Sequence, residues 1–209
     1  MASDAFTDDD GTGLEVHDAN WTSIDATHVV TNIEINSNLA EAEGNYKRFG
    51  AYYDGSAEDT SQILKKAFNS SDGQGPTTRA DTDELGYSIM LTGGSGGNWT
   101  VIQVNKSGNY LGDTGSVSYA QASDHTMKIT VSGTTTVTID YWIDGDAIGQ
   151  KSDSSSPLGA GHPGFWSHYA GEDITCTQFD DWTDGAAAGG ISIPVVMLQH
   201  DHFNGGAML

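Results

Sequence analysis

The 209-residue chain carries 29 Asp and Glu against 8 Lys and Arg, a formal net charge of −21, with 27 glycines and one cysteine. A field of that sign repels DNA, RNA and anionic membranes, and a single cysteine excludes both an internal disulfide framework and a four-cysteine metal site. The length suits one β-sandwich domain with a continuous core, and no apolar run approaches the ~20 residues needed to span a bilayer.

The acids are mostly aspartates scattered over the whole chain, so the charge belongs to a folded surface and not to an acidic tail. Self-repulsion on this scale is screened by salt, which reads as a surface adapted to a saline or divalent-rich medium. A merely acidic soluble protein is the alternative. The start, Met1-Ala-Ser-Asp-Ala-Phe, has neither a basic n-region nor an apolar h-region, so the chain reads as made in the cytoplasm without a secretory signal.

Taken in order, the segments alternate with period 2 between turn clusters, the mark of half-buried strands. Val29, Thr31, Ile33 and Ile35 alternate with Val30, Asn32, Glu34 and Asn36. Leu39 to Glu43 suits a turn or two of helix, Tyr46 to Asp54 a strand, and Gln62 to Phe68 fits a short helix and a strand equally. Asn69 to Asp83, rich in Ser, Asp, Gly and Thr, reads as a long exposed loop. Leu85 to Thr92 and Asn98 to Lys106 are strands. Met127, Ile129 and Val131 then alternate with Lys128, Thr130 and Ser132, Gly133 marks a hairpin, and Val137, Ile139, Tyr141 and Ile143 share one face of the next strand. Cys176, in Ile174-Thr-Cys-Thr, reads as a small core filler. Short, evenly spaced strands with Asp-Gly and Gly-Gly punctuation indicate a sandwich or barrel.

Residues 1–184 form that domain. Residues 185–190, Gly-Ala-Ala-Ala-Gly-Gly, are a flexible linker, and 191–209 form a C-terminal docking segment. Its apolar run, Ile191, Ile193, Pro194, Val195, Val196, Met197 and Leu198, is a liability if exposed, so it should dock on its own sandwich or on a neighbour. An edge position suits Pro194, which has no N–H to donate. Docking on another subunit is the preferred reading.

Several short motifs occur in a recognisable order. They are Ala5-Phe-Thr-Asp-Asp-Asp-Gly-Thr-Gly-Leu, Asn20-Trp-Thr, Asn98-Trp-Thr-Val-Ile-Gln-Val, His125-Thr-Met-Lys-Ile-Thr-Val-Ser-Gly, Tyr141-Trp-Ile-Asp-Gly, Gly161-His-Pro-Gly-Phe and Phe179-Asp-Asp-Trp. The series resembles that of concanavalin A-like lectin/glucanase jelly rolls, of the LamG-like kind, over residues 4 to 184. It is most similar to the stand-alone members encoded by tailed viruses of bacteria and archaea, which follow a Gly/Ala linker with a segment containing Ile-Pro-Val, as Ile193-Pro-Val does here. The resemblance implies an all-β antiparallel jelly-roll sandwich with a short apolar C-terminal tail. It also implies a virion structural protein, a capsid decoration, spike or tail-associated component at the virion surface. Such a protein would partner with copies of itself or other virion proteins, and with host-surface glycans. A free carbohydrate-binding lectin is the alternative.

Glycan hydrolases of this fold place two carboxylates on one strand, two residues apart on one face, with roughly 5 Å between them for retention. Asp140 and Asp144 share a face but are four apart and end at a turn; Asp180 and Asp181 point to opposite faces. No catalytic residue is therefore assigned, and the chain reads as a non-enzyme. No cofactor is required. The acidic turn Asp8-Asp-Asp-Gly suits calcium, and relatives that bind calcium near the joined terminal strands imply a site uniting Asp8, Asp10, Asp180 and Asp181. The strand Thr134 to Asp144 turns Thr138, Asp140 and Trp142 outward, which puts an indole on a polar face beside a carboxylate, as sugar recognition needs. Tyr52 and Arg48 share one face of another strand and are expected to join that site; cover by a loop or subunit is the competing role for Trp142. Phe165, Trp166, His168 and Tyr169 read as core and loop packing.

Overall fold

The structure, a computed structural model, describes residues 2–24, 33–42, 48–67, 74–83, 85–94, 96–114, 116–168 and 178–184. In chain order these residues form strands Ser3–Asp4 (β1) and Thr12–Gly13 (β2), the helical turn Leu14–His17 (α1), and strands Trp21–Ser23 (β3), Ile33–Asn36 (β4), Leu39–Ala42 (β5), Arg48–Tyr53 (β6), Thr60–Lys65 (β7), Gln74–Ala80 (β8) and Tyr87–Thr92 (β9). There follow Asn98–Trp99 (β10), Val101–Lys106 (β11), Asn109–Asp113 (β12), Tyr119–Ala120 (β13), His125–Ser132 (β14), Val137–Ile143 (β15), Asp146–Asp153 (β16), His162–His168 (β17) and Phe179–Thr183 (β18). Sheet I runs β16-β15-β14-β7-β18-β5-β4-β2, with β1 added on β18; sheet II runs β12-β11-β9-β8-β17-β6-β3; β10 pairs with β13. All of these pairings are antiparallel, and neighbours such as β7 and β14 or β8 and β17 are far apart in the chain. The chain passes repeatedly between the two layers, which makes it a jelly-roll sandwich.

The alternation read from β14 and β15 decides which side faces in. Met127, Ile129 and Val131 stand opposite Ile143, Tyr141 and Ile139 across the hairpin, and all six are buried. Each such side chain contributes about 1.5–3 kcal/mol relative to exposure. They join Tyr87, Ile89, Leu91, Ile102 and Val104 of sheet II in one core cluster. A second, aromatic cluster lies under the chain termini, where Trp21 meets Trp182 at 4.7 Å and Phe165 at 5.2 Å. Asp4 ties β1 down beside it. Its carboxylate accepts the Trp21 indole N–H at 2.7 Å and lies 2.9 Å from His17 Nε2. Burial pulls His17 down, but Asp4 and then Asp8 outweigh it and hold the imidazole above its ordinary value.

Two-residue turns close the β4–β5, β11–β12 and β15–β16 hairpins. Asp144 and Gly145 have φ of 53° and 88°, both left-handed as a type I′ turn requires, and Asp144 also holds His125 Nδ1 at 2.8 Å.

Two readings of the sequence are corrected. Leu39–Ala42 is strand β5, not helix, because Ala40 is a fully buried inward residue paired with Ile35. Residues 74–80, expected to lie within an exposed loop, form β8 in the middle of sheet II, with residues 75–80 buried. The small residues are there because the layers come close: a Cβ on Gly75 would lie 3.1 Å from Met127 Cε of sheet I, and Ser61 Oγ donates to Gly164 O at 2.6 Å. Residues 5–6 lie outside any strand, and Phe6 has a φ of 48°. The ambiguity at 62–68 resolves as β7 over its first part. Residues 25–32, 43–47, Cys176, Tyr169 and the segment 185–209 lie outside the described residues.

Two cations are buried. Arg79 makes a bidentate pair with Asp59 (2.8 and 2.7 Å) and donates to the carbonyls of Leu158 and Gly133. Lys65, at 0% exposure, donates to Lys66 O at 2.9 Å and lies 4.9 Å from the centre of the Trp99 ring. Burial lowers its amine to about 8.

Candidate functional site

The outer side of sheet I carries the non-core residues of β7, β14, β15 and β16, aligned in rows by strand register. One row is Gln62, Lys128, Trp142 and Ala147; the next is Thr60, Thr130, Asp140 and Gln150. In the second row Thr60 and Thr130 hydroxyls share a 3.1 Å hydrogen bond, and Gln150 Nε2 donates to Asp140 Oδ1 at 2.7 Å. Beside the first row lies a groove of about 250 Å³ lined by Gln62, Thr126, Lys128, Trp142 and Gly145. Trp142 is half-buried there and not freely exposed, because the Lys128 ammonium covers part of its ring, 5.2 Å from the centroid. Gly145 leaves that wall open, with nothing within 4 Å of where a Cβ would stand.

Thr138, Asp140 and Trp142 are thus brought together on one face, as alternation along β15 requires. Tyr52 is not. It belongs to sheet II, is 6% exposed, donates or accepts a 3.1 Å bond with Thr82 Oγ1, and stacks on His162. Arg48 begins the same strand, so its backbone also lies in sheet II. The sequence places both on a strand but cannot say which layer that strand joins.

The outer side of sheet II is closed by apolar side chains. Leu85 and Ile24 pack with Tyr52, Ala80, Met90 and Trp166 in a third cluster, which is why the outward-facing Met90 and Trp166 are 4% and 2% exposed. The residues before β9 are held over the sheet by Thr77 Oγ1 donating to Leu85 O and by Ser107 N donating to Gly86 O at 2.8 Å. Beneath them Ser88 Oγ and Asn105 Nδ2 have no hydrogen-bond partner. A cleft of about 350 Å³ between α1 and β4 is lined by Leu14, Glu15, Val16 and Glu34 and offers no aromatic plate among the described residues.

The carboxylates do not form a hydrolytic pair in sheet II. Strands β3, β6, β8, β9, β11 and β17 contain no Asp or Glu. In sheet I, Asp140 on β15 and Asp180 on β18 are three strands apart, about 14 Å by strand spacing, beyond the roughly 5–9.5 Å that glycoside hydrolysis uses. Burial, and then the neighbouring Asp181, hold Asp180 above the ordinary carboxylate range.

The expected calcium constellation also does not assemble. Strand β1 brings Asp4, not Asp8, to β18, opposite Trp182. Asp8 accepts from Asp9 N and faces His17, Asp10 accepts from Ser37 N at 2.7 Å, and Asp180 accepts from Asp181 N. Among the described residues no three His, Cys, Asp or Glu side chains converge as a metal site, so these four acids do not fit a shared calcium ion.

Lys128, Gln62 and Thr126 were not singled out from sequence. Lys128 was legible as the non-core partner of Trp142 once the hairpin register was set. Gln62, sixty-six residues before Lys128, reaches it only through the β7–β14 pairing.

No family model and no curated protein sequence matches this chain. Solved structures do match. A Bacillus licheniformis beta-glucanase aligns at 13% identity over 87% of this chain and 95% of that one, with a TM-score of 0.50. The carbohydrate-binding module CBM66 from Bacillus subtilis aligns at 12% over 78% and 91%, with a TM-score of 0.48. The VIP36 exoplasmic/lumenal domain in its Ca²⁺/Man2-bound form aligns at 10% over 78% and 79%, also at 0.48. The chain has a jelly-roll β-sandwich fold of the concanavalin A-like kind.

Proposed function

We propose that this domain is a non-catalytic glycan-binding module acting as a structural component at the surface of a virion. The observation that carries the binding half is the half-buried Trp142 beside a 250 Å³ polar groove, with Thr138 and Asp140 on the same face. An indole supplies a flat apolar plate for the C–H face of a sugar, and flanking amide, hydroxyl and carboxylate groups take its hydroxyls. The separation of Asp140 and Asp180 supports a binding rather than a hydrolytic role at this groove, even though the fold is one that glucanases share.

The assembly half is supported by the order of motifs resembling stand-alone proteins of tailed viruses, and by the apolar run Ile191 to Leu198 beyond a Gly/Ala linker. That run docks on a neighbouring subunit or another virion protein. A free lectin without an assembly role is the second reading, favoured by the groove being complete within one chain.

A glycan array probed with the full chain and with Trp142→Ala tests the binding site: retention of at least one glycan class, lost in the variant, is expected. Equal retention by both proteins removes the site from Trp142. Deleting residues 190–209 separates the two roles, because an assembly protein falls to a folded monomer while a free lectin keeps its oligomeric state and its glycan.

A further inference from the structure

We infer that the Trp142 groove selects a glycan bearing an isolated carboxylate, such as a single uronic acid in an otherwise neutral chain, with Lys128 as its counter-charge; this rests on the glycan-binding reading above. Acids outnumber basic residues 29 to 8, so a lysine or arginine has every opportunity to be neutralised. Three of the six whose side chains are described are so paired. Lys66 pairs with Asp124 at 2.6 Å, Arg79 with Asp59 at 2.7 Å and Lys106 with Asp153 at 2.8 Å.

Lys128 is different. Among the described residues it has no carboxylate within ion-pair distance, and its one described contact is the Trp142 ring. Two acids flank it, each one row away: Asp140 is taken by Gln150, and Asp144 by His125 Nδ1 and Thr126 N. Lys65, also without a carboxylate partner, is sealed in the core. Lys151, the remaining such lysine, lies against Gly112 and lines no described groove. Among the lysines and arginines whose side chains are described, Lys128 combines an unpaired charge with a described cavity. Its other row neighbour, Gln62, has a side-chain amide with no described partner and lines the same groove.

The chemistry of the occupant follows from this set. One ammonium and one amide suit one carboxylate through a charge-assisted hydrogen bond, and the indole suits the ring that bears it. No arginine lies in the groove to clamp a phosphate or sulfate in bidentate fashion. A densely charged glycan is opposed by the net charge of −21, whereas a single carboxylate meets that repulsion only once and within reach of its counter-ion.

The test is calorimetric titration of the full chain in about 0.15 M salt, where the Debye length is about 8 Å. The probes are tetrasaccharides of glucose, galactose and mannose, each neutral and with one hexose replaced by its uronic acid. The expected result is a preference of roughly threefold to tenfold for one carboxylated member over its neutral twin, the size of one partly desolvated ion pair. Lys128→Met, which keeps the stem over the ring, should abolish the preference, so that the carboxylated member binds no better than its neutral twin; Trp142→Ala should weaken both. Equal affinities for each pair, with Trp142 dependence intact, overturn the inference and leave the glycan reading standing. A preference that survives Lys128→Met overturns it as well, and no binding to any probe overturns both.

Discussion

Lys65 and Lys128 show how position decides what a lysine does. They lie on paired strands, but Lys128 is an outward residue of β14 that rests on an indole in water, and Lys65 is an inward residue of β7 at 0% exposure. A buried ammonium is desolvated, and one carbonyl acceptor at 2.9 Å leaves two of its donors without a described partner. With its amine lowered from 10.5 to about 8, it costs the folded state roughly 3 kcal/mol at pH 7. The unfolded chain binds the proton up to about pH 10.5 and the folded chain only to about 8, so this cost shrinks as pH rises through that window. Lys65→Met should therefore be more stable than the parent by about 1–3 kcal/mol at pH 7, with a margin that narrows by about pH 9.5. Urea unfolding of both proteins at the two pH values measures it; a margin independent of pH would mean that the folded amine titrates normally.

At the scale of elements, β8 and the β15–β16 turn use glycine for different reasons, and substitution should expose the difference. Gly75 is held where a Cβ would meet the backbone oxygen of Ile89 at 2.0 Å, in a central strand whose partners cannot retreat. Gly145 has open space around it but a φ of 88°. Gly75→Ala is expected to cost about 3 kcal/mol through overpacking, and Gly145→Ala about 1 kcal/mol through backbone strain alone. The urea midpoints of the two variants check the order; equal losses would show that β9 can shift to admit a methyl group at β8. The same crowding explains why β8 is hidden in the sequence. Gln-Gly-Pro-Thr-Thr-Arg-Ala has the composition of a loop because the close approach of the layers admits only small side chains in its middle, and period-2 hydrophobicity has nothing large to act on. Strands β14 and β15 were legible for the opposite reason, since each presents large apolar residues on one side and polar ones on the other.

For the whole molecule, charge is the strongest influence on stability outside the core. Twenty-one net negative charges repel one another across the folded surface, and raising salt from about 0.1 M to 1 M cuts the Debye length from about 10 Å to about 3 Å. Stability should rise by about 1–2 kcal/mol over that interval, or roughly 2–6 °C in Tm for a domain of this size. A thermal melt in NaCl reads this directly, and a flat or falling Tm would assign the acidity to solubility alone.

By itself, the sequence determined the all-β class, the inward and outward faces of β14 and β15, and the placing of Thr138, Asp140 and Trp142 on one polar side. Those are local consequences of a two-residue repeat, legible wherever residue size and polarity alternate. Tertiary structure decided the rest. It put Tyr52 in the other layer, closed the outer side of sheet II with Leu85 and Ile24, and brought Asp4 in place of Asp8 to the terminal strand. It also carried Gln62 to Lys128 across sixty-six residues of chain. Strand pairing between distant segments sets which residues share a row, and alternation along a single strand does not encode the identity of its neighbour.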